Sequence, residues 1–191
     1  MRIISGKYKG RRINPPKNLP VRPTTDMSKE SLFNVLNNHF DFDEIKVLDL
    51  FAGTGNLSYE FGSRGTTNIT CVDEDFGCIK FIKHTAAEFN FDIAAVKSNV
   101  FSFLDRNEAS YDVILADPPY HFELAKLEKI VNSVFGKNML EAGGMMIIEH
   151  SKHSKLDHLE NFSFQKNYGG SVFSFFELAG AEEDVSENDE N

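Results

Sequence analysis

The chain has 191 residues, 41% hydrophobic and 26% charged, with a net charge of −9. That length suits one domain with a core of its own, and no apolar run approaches the length of a membrane-spanning helix. Cys71 and Cys78, the only two cysteines, exclude a disulfide framework and a zinc knuckle and read as buried thiols.

In chain order, residues 1–30 come first and carry most of the basic character: Arg2, Lys7, Lys9, Arg11, Arg12, Lys17, Arg22 and Lys29 stand against Asp26 and Glu30. No apolar h-region follows the basic opening, so no secretory signal is read and a cytoplasmic location is expected. Residues 2–13 read as a small hairpin, 15–25 as loop and 27–40 as a helix capped by Asp26, with Leu32, Phe33, Leu36 and Phe40 on its apolar face. From residue 46 short apolar runs alternate with helical periodicity. Strands are expected at 46–52, 68–75, 93–99, 111–117 and 144–150, with helices at 56–64, 76–90, 101–106 and 123–135. Two alternating runs, 162–168 and 171–179, meet at Gly169 and Gly170 and read as an antiparallel hairpin. Such alternation implies a parallel sheet covered on both faces, made mixed by the terminal hairpin. Residues 181–191 hold six acidic residues and no basic one, a composition expected to be disordered. The organisation expected is therefore an amino-terminal extension over 1–40, a main domain over 41–180 and an acidic tail over 181–191.

Two stretches carry chemistry. In "VLDLFAGTGNL" a strand runs into Gly53-Thr54-Gly55 before a helix, which lets backbone approach a ligand at the carboxyl edge of the sheet. Asp73 closes the next strand, at the spacing from which a carboxylate accepts hydrogen bonds from ribose hydroxyls. Ser58 stands where a dinucleotide fingerprint has its third glycine. That departure, with Asp49 just upstream, favours S-adenosylmethionine over a cofactor with a pyrophosphate.

The second stretch is "DPPY". A strand that climbs to Asp117 is halted by Pro118 and Pro119, and Tyr120 follows. A carbonyl near Pro118 and the Asp117 carboxylate form a rigid pair of acceptors for one exocyclic NH₂, and Tyr120 supplies a ring to stack on the base that bears it. With the glycine loop, this suits methyl transfer to a nucleobase amine. A base in a stem must be turned out of its stack to reach such a site.

"RIISGKYKGRRI", "RPTTDMSKESLFNVL", "VLDLFAGTGNLSYEFGSRG", "VKSNVFSFL" and "ADPPY", in this order, resemble the RsmD family, bacterial methyltransferases acting on a guanine amine of 16S ribosomal RNA. "IIEH" and "YGGSVFSFFE" fit more loosely. The resemblance implies a class I S-adenosylmethionine-dependent, Rossmann-like fold with a mixed seven-stranded sheet and a small amino-terminal hairpin and helix. It further implies that Phe51, Gly53 and Gly55 pass under the methionine part of the cofactor, that Asp73 takes the ribose, and that Asn99 and Val100 hold the adenine. Asp117, Pro118, Pro119 and Tyr120 then match the catalytic motif, and Arg22, Thr24 and Thr25 line the mouth. Met27 departs from the arginine usual after that aspartate.

Lys7, Lys9, Arg11 and Arg12 are expected to hold RNA phosphates, which gives affinity without sequence information. The expected partner is ribosomal RNA within the small subunit or an assembly intermediate, with the enzyme acting as a monomer away from any membrane. Glu149, His150 and His153 lack the spacing of a zinc site, so no metal is expected, and Glu149 is read as a supporting residue near the pocket. The alternatives are a DNA adenine-N6 methyltransferase, which the proline motif permits, and a non-catalytic RNA-binding assembly factor. An intact glycine loop beside an intact Asp117–Tyr120 motif argues against the latter.

Overall fold

The structure is a computed structural model that describes residues 1–19, 25–119, 121–168 and 170–179. Five helices and seven strands follow in the order α1 (Asp26–Leu36), β1 (Lys46–Leu50), α2 (Asn56–Arg64), β2 (Asn68–Asp73), α3 (Phe76–Phe89), β3 (Ile93–Lys97), α4 (Val100–Arg106), β4 (Tyr111–Ala116), α5 (Leu124–Gly136), β5 (Leu140–Ser151), β6 (Phe162–Tyr168) and β7 (Ser171–Glu177). The strands form one sheet in the order β3-β2-β1-β4-β5-β7-β6. β1 to β5 run parallel and β7 is antiparallel to both its neighbours. The mixed seven-stranded sheet with a terminal hairpin is the one expected. Chain order reverses between β1 and β4, so the crossovers on either side diverge and open a crevice beyond the carboxyl ends of these two strands.

Side-chain alternation along the strands divides the core between two faces. Val47, Val113, Leu115, Met145 and Ile147 pack with Leu32, Phe33 and Leu36 of α1, Phe61 of α2 and Ile82 of α3. Leu48, Leu50, Ile114, Ala116, Met146 and Ile148 face Leu104 of α4 and Ile130, Val131 and Val134 of α5. The apolar face of α1 thus belongs to the same core as the central strands.

Three local readings are corrected. Asp26 opens α1 rather than capping it: Thr25 is extended and its Oγ1 accepts from the Ser28 amide at 3.1 Å, the usual work of an N-cap threonine. The helix ends at Leu36, before the run Asn37-Asn38-His39 of weak helix formers, which forms turns instead. β5 begins at Leu140, four residues earlier than expected. Gly143, at φ 77°, and Gly144 sit in a bulge where the register against β4 shifts, and the strand continues through them.

The amino-terminal segment contains a single antiparallel bridge, Arg2 to Arg12, in place of a full hairpin. It is extended by Ile3 N–H to Arg11 O and Ile13 N–H to Met1 O, both 3.0 Å, while Ile3 and Ile13 pack with Tyr59 and Phe89. A buried ionic cluster joins this segment to α1 and α2. Glu60, fully buried on α2, accepts from the Ile4 and Ser5 amides at 2.8 and 2.9 Å and pairs with Arg64 at 3.0 Å. Lys29 Nζ lies 3.4 Å from Glu60 and donates to Arg2 O at 2.6 Å and to Asn56 Oδ1 at 2.9 Å.

Candidate active site

A cleft of about 990 Å³ opens at the carboxyl ends of β1 and β4. Its floor is the loop from Phe51 to Asn56. Phe51 adopts φ 61°, a strained value for a bulky residue, held by the Ala52 N–H to Val72 O bond of 3.0 Å and an edge contact with the Phe122 ring at 5.3 Å. Gly53 and Thr54 line the cleft. Gly55 does not; it caps α2 at φ 83°, where a Cβ would come within 2.7 Å of the Tyr59 ring. Its place under the floor requires glycine for both reasons.

Asp73 lines the cleft at the end of β2 and is locked by two backbone donors, Gly53 N–H on Oδ2 and Asp75 N–H on Oδ1, each 2.8 Å. Burial pushes its carboxyl up and these two donors oppose that shift. A carboxylate has about four lone-pair sites, so two remain for ribose hydroxyls. Asp49 is buried beneath the loop, and burial, opposed by a hydrogen bond from Ser58 and reinforced by the charge of Asp73, pushes it up to about 7. Ser58 Oγ donates to Asp49 Oδ2 at 2.6 Å. The residue that departs from the dinucleotide fingerprint is therefore the one that holds Asp49. Asn99 caps α4 through its Oδ1, with Phe101 N–H at 3.0 Å, and together with Val100 lines the wall beyond β3.

Asp117 follows β4, and its N–H reaches Leu50 O at 3.4 Å, so the motif leaves the sheet beside the end of β1. Pro118 and Pro119 line the cleft, and Phe122 N–H closes the turn on Pro119 O at 2.8 Å. Thr25, Met27 and Ser28 at the start of α1 also line the cleft. Met27 is 74% exposed. Arg22, Thr24, Tyr120 and the acidic tail lie outside the described residues.

Several wall residues were missed in the sequence. Asn56, Asn167, Tyr168 and Ser171 all line the cleft, and the sequence singled out none of them. The missing signal is directional: β7 pairs antiparallel with β5, Ser151 opposite Ser171, so the start of β7 lies at the carboxyl edge.

The basic residues are spread out. Lys7, Lys9, Arg11 and Arg12 are exposed and none lines the cleft. The Lys29 ammonium bridges Arg2 O to Asn56 Oδ1 at the start of α2, whereas Lys7 N–H bonds Ser63 O near its end, roughly 10 Å farther along the helix. Cys71 and Cys78 are buried and free. The ring nitrogens of His150 lie 2.7 Å from Ser174 Oγ and 2.9 Å from Ser151 O. Among the described residues no helix is long and apolar enough to cross a membrane.

The model of the family described as "Conserved hypothetical protein 95" matches residues 1–177. "Ribosomal RNA small subunit methyltransferase D" of Buchnera aphidicola subsp. Acyrthosiphon pisum is 32% identical over 167 residues, covering 86% of this chain and 85% of that one. The protein of the same name from Escherichia coli K12 is 31% identical over 150 residues, covering 78% and 74%. The solved Escherichia coli protein yhhF superposes with a TM-score of 0.80 at 27% identity, over 95% of this chain and 99% of that one. The Thermus thermophilus 16S rRNA N2 G1207 methyltransferase RsmC, solved with AdoMet and guanosine, shares the fold at a TM-score of 0.67 and 22% identity, over 84% of this chain and 45% of that one. The architecture is the class I, Rossmann-like methyltransferase fold expected from the motifs.

Proposed function

The chain belongs to the RsmD family, and from this we propose that it transfers a methyl group from S-adenosylmethionine to the exocyclic N2 amine of a guanine in 16S ribosomal RNA. The observation that carries the reading is the placement of Asp117-Pro118-Pro119 in the same cleft as the Phe51–Gly53 turn and Asp73. An amine acceptor and a nucleoside-cofactor cradle share one cavity at the β1/β4 switch point.

The residues present fit this cofactor. Asp73, anchored by two amides, takes the ribose, Asn99 and Val100 border the adenine, and Phe51 and Gly53 with buried Asp49 form the floor under the methionine part. When bound, S-adenosylmethionine supplies an electrophilic methyl on a sulfonium. Asp117 and the Pro118 carbonyl accept hydrogen bonds from the target NH₂, which turns the nitrogen lone pair out of the purine ring and toward that methyl. Once methylated, the amine would be acidic and would release its proton through Asp117 toward solvent, so Asp117 need not be a strong base. Holding the reacting atoms in line accounts for much of the acceleration. Thr25 edges the mouth, and Lys7, Lys9, Arg11 and Arg12 hold phosphates; the roles of Arg22, Thr24 and Tyr120 rest on the sequence motifs alone. The substrate is the RNA within a small subunit or an assembly intermediate, met in the cytoplasm by a monomer.

Labelled S-adenosylmethionine incubated with small ribosomal subunits or with DNA tests the assignment. Label is expected in one RNA guanine, and label in DNA adenine overturns it. Asp117→Ala is expected to lose at least about 10³-fold in turnover while cofactor affinity persists; an active variant would show that the acceptor mechanism is wrong.

A further inference from the structure

Resting on the guanine reading above, we propose that Glu149 selects guanine by accepting its N1–H while Asp117 takes the neighbouring N2 amine. β4 and β5 are in parallel register from Val113 opposite Met145 to Ala116 opposite Ile148. Beyond this stretch β5 continues to Glu149, and Asp117 follows the end of β4 with its N–H still on Leu50 O at 3.4 Å, so the register brings the two residues to neighbouring positions at the carboxyl edge. Alternation carries both to the face shared by Leu115 and Ile147, and both line the cleft. Asp49 lies on the same face but is enclosed beneath the loop and bonded to Ser58. The cleft wall therefore carries a pair of carboxylates at its carboxyl edge, Asp117 half-buried and Glu149 buried.

That pair is a reader of two adjacent donors. Guanine offers N1–H and N2–H₂ next to one another on its pairing edge. Adenine offers its amine beside a bare N1, whose lone pair a carboxylate repels. Asp117 and Glu149 both interact with other groups of the chain, and the several lone pairs of each carboxylate leave room for a further donor. Glu149 is only 9% exposed, so water does little to mask a mismatch, and a base that offers a lone pair in place of N1–H is penalised strongly. The same geometry disfavours the adenine alternative that the proline motif alone permits.

The test replaces the guanine that the wild-type enzyme labels by 2-aminopurine, which keeps the N2 amine but has a bare N1, in RNA ligated and assembled into small subunits. The wild-type enzyme is expected to prefer guanine by about 100-fold or more in single-turnover rate. Glu149→Gln has an amide that serves either base as acceptor or donor. It is expected to lose about 10-fold on guanine and to bring the two rates within about threefold of each other. Glu149→Ala, read by the same ratio, covers the case in which the glutamine variant is poorly folded, and unchanged cofactor affinity in each variant separates base selection from a general defect. A guanine preference retained in both variants, whatever the absolute rates, overturns the role of Glu149 and leaves the guanine assignment standing. Wild-type label found on adenine overturns both.

Discussion

Replacing Glu60 by alanine probes how the amino-terminal segment is held to the body of the enzyme. The carboxylate is fully buried and satisfies four partners: the Ile4 and Ser5 amides, Arg64 and Lys29. Its removal leaves the Lys29 ammonium, itself 1% exposed, without its counter-charge. A stranded buried charge costs about 3–5 kcal/mol, and shedding the proton at pH 7 caps the penalty near 5 kcal/mol. Burial already holds Lys29 below its ordinary pKa despite the nearby Glu60, so the capped route is open. The two amides lose a charged acceptor, but residues 4 and 5 lie close to the surface and recover part of that from water. A net loss of about 4 kcal/mol is expected, a large share of the 5–15 kcal/mol typical of a domain. With a urea slope of about 2 kcal/mol per molar, the unfolding midpoint falls by about 2 M. Lys29→Met combined with Glu60→Ala removes the stranded charge and is expected to recover about 2 kcal/mol relative to the sum of the two single variants. A loss below about 1 kcal/mol for Glu60→Ala, or strict additivity in the double variant, would refute the argument that this cluster docks the segment.

Two further outcomes follow from the charges. Asp49 has its folded-state pKa raised to about 7, above the unfolded value of about 3.9, so the folded state binds this proton more tightly. Its contribution to stability is full below pH 4 and is lost as pH rises toward 7, on the order of 4 kcal/mol. Asp49→Asn is expected to remove that fall from thermal melts at pH 5 and pH 8, and parallel wild-type and variant profiles would contradict it. Alanine at Lys9, Arg11 and Arg12 is expected to weaken RNA binding and lower the salt slope by up to about 2–3 with cofactor affinity unchanged; unaltered RNA binding in filter or anisotropy titrations would count against these phosphate contacts.

Much of this molecule is legible along the chain because its signals are local. The shift between a period of 2.0 and one of 3.6 orders strands and helices, and the Gly53–Gly55 turn and the Asp117–Pro119 elbow are written in consecutive residues. Where the expected bounds fell short, a neighbour decided: the strand expected from 144 begins at Leu140, through a bulge at Gly143-Gly144, because β4 runs beside it. Lys29 and Glu60 carried no signal of burial in the sequence, and they are buried beneath the amino-terminal segment, whose backbone bonds to both. The composition of the cleft depended most on tertiary structure. Asp117 and Glu149 are 32 residues apart in the chain, and no spacing rule pairs them. They line one cleft because β5 returns parallel to β4, and Ser171 joins them there because β7 runs back along β5. The sequence by itself determined which residues are proposed for methyl transfer; the strand order decided which of them share an edge, since that edge gathers residues by pairing across the sheet and not by distance along the chain.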